Sequence, residues 1–261
     1  MNVYRAAGVL HGLEPGLLQP VPLAEESELR TRRHVYPPEA LARLRSVFPW
    51  LDDDYDKIPA EQLVMSDPEI CGTVLRLPMV YGPGDPLHRL YPIVKRIDDR
   101  RRAILLQQEA AAWRAPCGYV ENIAAAIALA AISPVARGRI YKIAEPGSYS
   151  EFEWAQTVGR VAGWSGTVLA VAKEQTSPHL QIAHNAAQHW TVSSTRIREE
   201  LGYSEPIPFD TALERTIAWE RANPPAEIDP KQFDYAAEEL SSRCWVRRSK
   251  TIGNSTHLPG V

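Results

Sequence analysis

The sequence predicts an α/β fold, and three observations carry that expectation. Thr73-Val74-Leu75-Arg76-Leu77 is a short apolar run without the alternation of a half-exposed strand, and Arg139-Ile140-Tyr141-Lys142-Ile143 is a second. Runs of this kind belong to parallel strands covered on both faces. Thr73–Leu77 is therefore expected to be a central parallel strand with neighbours on both sides, and Ile140–Ile143 to lie in the same sheet. The third observation is the segment just beyond the first run. Pro78 ends that run because it cannot donate to a ladder. Met79 and Val80 then lead into Tyr81-Gly82-Pro83-Gly84-Asp85-Pro86, dense in residues that fix or free the backbone. Open α/β sheets place ligands in loops beyond the carboxyl ends of their strands; the alternative is a plain tight turn after a core strand.

Taken in order, Val3-Tyr4 reads as a strand remnant running into an irregular, Gly- and Pro-rich segment up to Leu23, and Glu25–Arg33 as a charged connector. Leu41, Leu44, Val47 and Phe48 recur at helical spacing after Pro37-Pro38. Asp52, Asp53, Asp54 and Asp56 precede a helix that begins at Lys57 and carries Glu61, Leu63, Val64 and Met65. Carboxylates favour the positive end of a helix, so this cluster reads as a helix N-terminus rather than a metal site. Leu90, Ile93, Val94 and Ile97 mark an amphipathic helix within Leu87–Arg102, and Ala103–Leu106 a short strand. Asn122 is positioned to cap a helix over Ile123–Ile132 that Ser133-Pro134 ends.

Ser150-Glu151-Phe152-Glu153 has the form of a capping box. It opens a helix with Trp154, Val158 and Val161 on one face, closed by Gly163. Val168–Ala172 reads as a strand, Thr195–Leu201 as a short helix stopped by Gly202, and Asp210–Ala222 as the last clear helix. His179, His184 and His189 are five apart, a spacing without helical ligation geometry, and read as loop histidines. From Ala226 the pattern fades into a tail over 226–261, disordered at its end, where Arg243, Arg247, Arg248 and Lys250 lack apolar periodicity.

The 261 residues suffice for one large or two small domains. Hydrophobic residues at 44% and charged residues at 23% are ordinary globular usage. A net charge of -3 gives no support to a nucleic-acid or anionic-membrane partner. Cys71, Cys117 and Cys244 are few and widely spaced, as expected of reduced thiols in the cytoplasm. The longest apolar run, Ile123–Ile132, is too short to span a bilayer.

Several segments together resemble the NAD-dependent epimerase/dehydratase family, the extended short-chain dehydrogenases/reductases. Leu75-Arg76 followed by Val80-Tyr81-Gly82-Pro83-Gly84 resembles a signature of that family. Val3-Tyr4 is similar to the tail of its S-S-x-x-V-Y-G motif, and Lys57-x-x-x-Glu61 to the K-x-x-x-E of its catalytic helix. Gly118–Ala124 is similar to its F/Y-V-H-V-x-D-x-A segment, and the ordered set covers roughly residues 1–225. The chain contains no G-x-x-G-x-x-G, and by the resemblance it begins halfway through the cofactor domain.

The resemblance implies a partial Rossmann-like parallel sheet over residues 1–82 and 122–145, with a smaller α/β substrate domain over 83–121 and 146–225. It implies NAD or NADP as cofactor, met by Tyr4, Lys57, Leu77, Pro78 and Val80, and a nucleotide-sugar or related hydroxy/keto substrate met by Tyr81, Arg89, Arg114 and Tyr119. The expected partners are that small molecule and a second copy of the chain. The family's catalytic helix carries Tyr-x-x-x-Lys, whose lysine lowers the phenol pKa. Here Asp53 stands four residues before Lys57, and the nearby tyrosine is Tyr55, only two away. The catalytic residues expected are Lys57 and Tyr55, with Asp53 or a bound water as the other proton carriers. The rival expectation is a non-catalytic remnant that acts as a binding or interaction protein, because the glycine-rich turn that cradles a pyrophosphate is missing.

Overall fold

A computed structural model describes residues 2–33, 38–52 and 55–243. Asp53 and half of the expected tail, residues 244–261, lie outside the described residues. In chain order the elements begin with α1 (Arg5–Leu10), α2 (Pro38–Val47) and α3 (Lys57–Ser66), followed by β1 (Val74–Arg76), β2 (Met79–Tyr81) and α4 (Tyr91–Asp98). β3 (Ala103–Gln107), α5 (Gln108–Ala112), β4 (Cys117–Tyr119), α6 (Val120–Ile132) and β5 (Ile140–Lys142) come next. The chain continues through α7 (Glu151–Val161), β6 (Thr167–Val171), α8 (Thr195–Leu201) and α9 (Phe209–Ala222) to a helix over 235–243, α10. None of the described helices is long and apolar enough to cross a membrane.

The fold is α/β, and its strands pair in parallel. β1 lies beside β5 with Val74 opposite Ile140 and Arg76 opposite Lys142. β2 lies beside β4 with Tyr81 opposite Tyr119, and β3 beside β6 with Ala103 opposite Thr167. Thr73–Leu77 and Ile140–Ile143 thus share a sheet as expected. The expectation of neighbours on both sides of the first run is corrected, since among the described residues β1 has one ladder, to β5. Pro78 divides the run, and the residues beyond it pair with β4 instead. Val3-Tyr4 makes only a single antiparallel bridge, Tyr4 to Leu29, before the chain turns into α1.

Close approach at β2 and β4 depends on two glycines. A Cβ on Gly118 would come within 2.6 Å of Ile123 Cδ1 and 2.8 Å of Pro78 Cγ. Gly82 has φ +135°, and a Cβ there would meet Val120 Cγ1 at 2.6 Å. Beyond Gly82 the amphipathic stretch becomes helical only at Tyr91. Asp85 explains the delay, because its carboxylate accepts from the backbone N–H of Leu87 and of Arg89 and holds 85–89 in turns.

Two apolar cores flank the sheet pairs. Ala126 and Ala130 of α6 let Tyr141, Ile143, Ile197 and Tyr203 pack closely, with Leu75, Leu77 and Val80 against them. Tyr81, Cys117 and Tyr119 join Val94 and Ile97 of α4, Val158 of α7 and Leu213 and Ile217 of α9 in the other. The capping box forms as expected, with Ser150 accepting from the Glu153 N–H and Glu153 from the Ser150 N–H.

Two expectations are corrected by long-range polar bonds. Asn122 does not cap α6, which starts at Val120; its buried amide donates to Ile207 O at 3.0 Å and accepts from Ile207 N–H at 2.9 Å, tying α6 to the approach to α9. The segment after Ala226 is not all tail. α10 inserts Glu238, which is 1% exposed, against Arg96 of α4 at 2.6 Å and His179 at 3.1 Å.

Candidate functional site

The N-terminus of α3 is set by one carboxylate. Asp56 accepts from the Ile58 N–H at 2.8 Å, which caps the helix. The same carboxylate takes both terminal nitrogens of Arg30, at 2.7 and 2.8 Å, with each side chain only 2% exposed. Burial alone would raise its pKa; the donors from Arg30 and Ile58 outweigh that and hold it below the usual carboxylate range. Lys57 is the next residue. Its ammonium is half-buried, and burial, with a smaller push from Arg30, lowers its pKa against the pull of Glu61. Tyr55 is 38% exposed and packs edge-on against Trp50, ring centroids 5.2 Å apart.

Tyr4 lies in a fully buried polar cluster behind α3. Its hydroxyl accepts from Arg76 Nη1 at 2.7 Å, and its ring carries the Lys142 ammonium at 4.2 Å and the Arg76 guanidinium at 4.9 Å. Burial pushes the phenol up to about 12. Arg76 also bonds Glu61 at 2.7 Å and Glu25 O at 2.8 Å, so Tyr4 reaches α3 through Arg76. Lys142 donates to Leu23 O, and burial lowers its pKa to about 7. Leu77 and Val80 pack into the α6 core, and Pro78 faces Gly118.

On the other side of β2, a cavity of about 1140 Å3 is lined by Met79, Tyr81 and Cys117 from β2 and β4, by His88 and Arg89 from the turn after β2, and by Tyr149, Glu151 and Trp154. Tyr81 donates to Glu145 Oε1 at 2.8 Å, the Cys117 thiol to Oε2 at 3.4 Å, and the Tyr119 N–H to Oε1 at 3.1 Å. Burial raises the Glu145 pKa and these donors oppose it. The Cys117 thiol is raised by burial and by Glu145, so it stays protonated. Arg89 donates to Asp85 and to Val80 O at 2.7 Å. His88 bonds Glu220 at 2.8 Å and stacks on Trp219. Glu151 differs from all of these. Its backbone N–H donates to Trp113 O, but its carboxyl has no hydrogen-bond or ion-pair partner among the described residues, and burial pushes it up to about 7.

Of the four residues expected at the substrate, Tyr81 and Arg89 line this cavity. Arg114 is bound to Glu153 at 2.8 Å and to Ser148 O, where it buttresses the capping box. Tyr119 is fully buried and donates to Glu121 at 2.8 Å. Glu145, Glu151, Cys117 and His88 were not foreseen. The only signal for Glu151 was its place in the capping box, which speaks of helix initiation and not of a cavity.

The parallel pairs, the loop after β2 and the cavity beside it give the chain the fold of NAD-dependent epimerases and dehydratases. An epimerase from Methanothermobacter thermautotrophicus superposes with a TM-score of 0.53 at 16% identity, covering 83% of this chain and 57% of that one. UDP-glucuronic acid 4-epimerase from Bacillus cereus, solved with UDP-glucuronic acid and NAD, gives 0.50 at 15% identity, over 64% of this chain and 51% of that one. RMD from Pseudomonas aeruginosa, complexed with NADPH, gives 0.50 at 12% identity, over 64% and 55%. Among curated proteins, the uncharacterized protein y4nL of Sinorhizobium fredii (strain NBRC 101917 / NGR234) is 24% identical over 168 residues, 56% of this chain and 46% of that one. The chain thus spans about half the length of the relatives it matches. No protein-family profile matches it.

Proposed function

We propose that the chain is part of a cytoplasmic NAD(P)-dependent enzyme of the epimerase/dehydratase kind, holding a nucleotide-sugar or related hydroxy/keto substrate in the cavity beside β2. The observation that carries this reading is the cavity itself, which is lined by Tyr81 at the end of β2 and by Arg89 from the turn after it. Residues 1–82 and 122–145 would form the cofactor side, and 83–121 and 146–225 the substrate side, with α10 added to the latter through Arg96 and Glu238.

The described residues suit one end of a nicotinamide cofactor. Lys57 offers a half-buried ammonium to a ribose hydroxyl. Leu77, Pro78 and Val80 would flank the ring, and Tyr4 would position α3 through Arg76 and Glu61. No glycines of the sequence have the spacing that cradles a pyrophosphate. When bound, the cofactor supplies hydride transfer at a sugar carbon. The chain's own contribution is then to hold the ribose, to orient the sugar at Tyr81 and Arg89, and to move a proton from Tyr55 or another carrier.

A second reading, a binding protein without turnover, is favoured by the position of Tyr55, whose ring packs on Trp50 and is exposed. Calorimetry with NAD, NADP and UDP-glucose, together with turnover, separates the two. The expected result is weak cofactor binding that Lys57→Ala weakens further, with turnover falling in parallel. Loss of one acid/base group lowers rate by ~10²–10⁴-fold. UDP-glucose binding without turnover under any cofactor would favour the binding protein, and unchanged kinetics in Lys57→Ala would remove α3 from the site.

A further inference from the structure

We propose that the cavity lining that holds Glu151 with Tyr81, Tyr149 and Trp154 provides a subsite for a primary ammonium group, which makes an amino-substituted sugar the preferred occupant. This rests on the reading of the cavity as a sugar site and narrows it to a substrate class.

Three features converge. The first is a carboxyl that no side chain of the described residues satisfies, on a residue that lines the cavity. Glu151 is only partly exposed, and a carboxylate drawn from water favours a counter-charge or a proton. The second is the aromatic wall. Trp154 meets Tyr81 edge-on at 5.2 Å and Tyr149 at 6.2 Å, and all three rings line the cavity with Glu151. Aromatic faces attract an ammonium within about 6 Å of the ring centroid. The third is that two cations of the lining are committed elsewhere, Arg89 to Asp85 and Arg96 to Glu238. Arg114, beside the capping box, is bound to Glu153.

The remaining charges agree in sign. Burial keeps the Cys117 thiol neutral and lowers the pKa of His11. Glu227 and Asp229 add carboxylates to the lining, against one exposed arginine, Arg43. Among the elements packed on α7, α4 brings Arg96 with Glu238, Lys95 with Asp99 and Asp98 with Arg221; α5 brings Glu109 bonded to Gln107; α9 brings Asp210 with Arg160, Arg215 with Glu121, Glu220 with His88, and Glu214; β6 has no charged residue. Among the described residues, no neighbouring cation is therefore poised to satisfy Glu151.

Empty, the Glu151 carboxyl is balanced by a proton near neutral pH; an ammonium takes the proton's place. Binding then releases a proton, and affinity follows the ionised fraction of the carboxyl. For an acid near pH 7 that fraction rises about tenfold between pH 6 and pH 8. A ligand whose amine stays protonated to pH 8 isolates the effect.

The test compares 6-amino-6-deoxyglucose with glucose by calorimetry at pH 6 and pH 8, in buffers of different ionisation enthalpy, with UDP-glucose titrated alongside. The amine is expected to bind at least tenfold tighter than glucose at pH 8, with an advantage about tenfold smaller at pH 6 and a buffer-dependent heat from the released proton. Glu151→Gln, a near-isosteric change, should abolish the advantage, while Glu151→Asp keeps part of it. Equal binding of amine and hydroxyl sugars by the native chain, or an advantage that survives Glu151→Gln, overturns the proposal. UDP-glucose binding without any amine preference would sink the ammonium subsite and leave the nucleotide-sugar reading standing. Amine preference without UDP-glucose binding would do the reverse.

Discussion

Around the start of α3, buried charges meet opposite ones at short range: Arg30 meets Asp56 and Arg76 meets Glu61, both at 2.7 Å. Beside the cavity, Glu145 is held by a phenol, a thiol and a backbone N–H, and the Glu151 carboxyl has no partner among the described residues. Desolvating a charge is unfavourable in both places; the first region offsets it with ion pairs, whereas the Glu151 carboxyl has no such offset among the described residues. Lys57 apart, the α3 region has its charges committed to the fold, and removing either member of a pair strands the other. The cavity keeps a titratable group uncommitted, and such a group can answer to a ligand or to pH.

Breaking the α3 side should have the largest effect. Asp56→Ala leaves the Arg30 guanidinium buried and unpaired, and it removes the cap of α3. Stranding one member of a buried ion pair typically destabilises by about 3–5 kcal/mol, and a lost N-cap adds about 1 kcal/mol. Chemical denaturation of Asp56→Ala against the native chain measures this directly. A loss below about 1 kcal/mol would mean that Arg30 finds water or another acceptor and that the region is less committed than its geometry implies.

Glu151→Gln sharpens the comparison from the other side, because it should stabilise. The Glu151 pKa rises on folding from an ordinary carboxyl value to about 7, so between those values the folded chain binds more protons than the unfolded one. Stability therefore falls as pH rises through that window, and the full penalty applies above pH 7. Glutamine removes the titration. At pH 8 the substitution should add about 1–2 kcal/mol, a shift of this size being discounted for partial exposure, and near pH 4 it should add nothing. Melting temperatures of both chains at the two pH values test this, and equal shifts at both would exclude Glu151 as the titrating group.

How far the sequence spoke for each region depends on the range of the interactions involved. The capping box at Ser150–Glu153, the start of α3 at Lys57 and the stop of α8 at Gly202 were legible because caps and turns are settled within a few residues. The parallel pairing of β1 and β5 was legible from two unalternating apolar runs. α10 was not, because an ion pair spanning 142 residues, Arg96 to Glu238, docks it and leaves no apolar periodicity. Asn122 misled for the same reason, since a residue that suits a helix cap also suits a distant backbone clamp at Ile207. Of the candidate site, Tyr81 was found through a motif and Arg89 through the family resemblance, whereas Glu145 and Glu151 owe their properties to burial, which no local pattern encodes.

Tyr55→Phe should have the smallest effect on the fold, and it probes the line between the two regions. The ring packs edge-on against Trp50 and is 38% exposed, and phenylalanine keeps that contact. A surface change of this kind stays within about ±0.5 kcal/mol. Tyr4 differs in burial: its hydroxyl is a fully buried acceptor for Arg76. If turnover is found, an unchanged rate in Tyr55→Phe would assign the proton to another carrier and leave Lys57 as a ribose contact alone. A fall of ~10²-fold or more at unchanged stability would mean that the Tyr55 phenol reaches the substrate once ligands are bound, although it rests on Trp50 in their absence. Pairing the melting temperature with the rate makes the outcome decisive, because a structural role would move both and a catalytic role only the second.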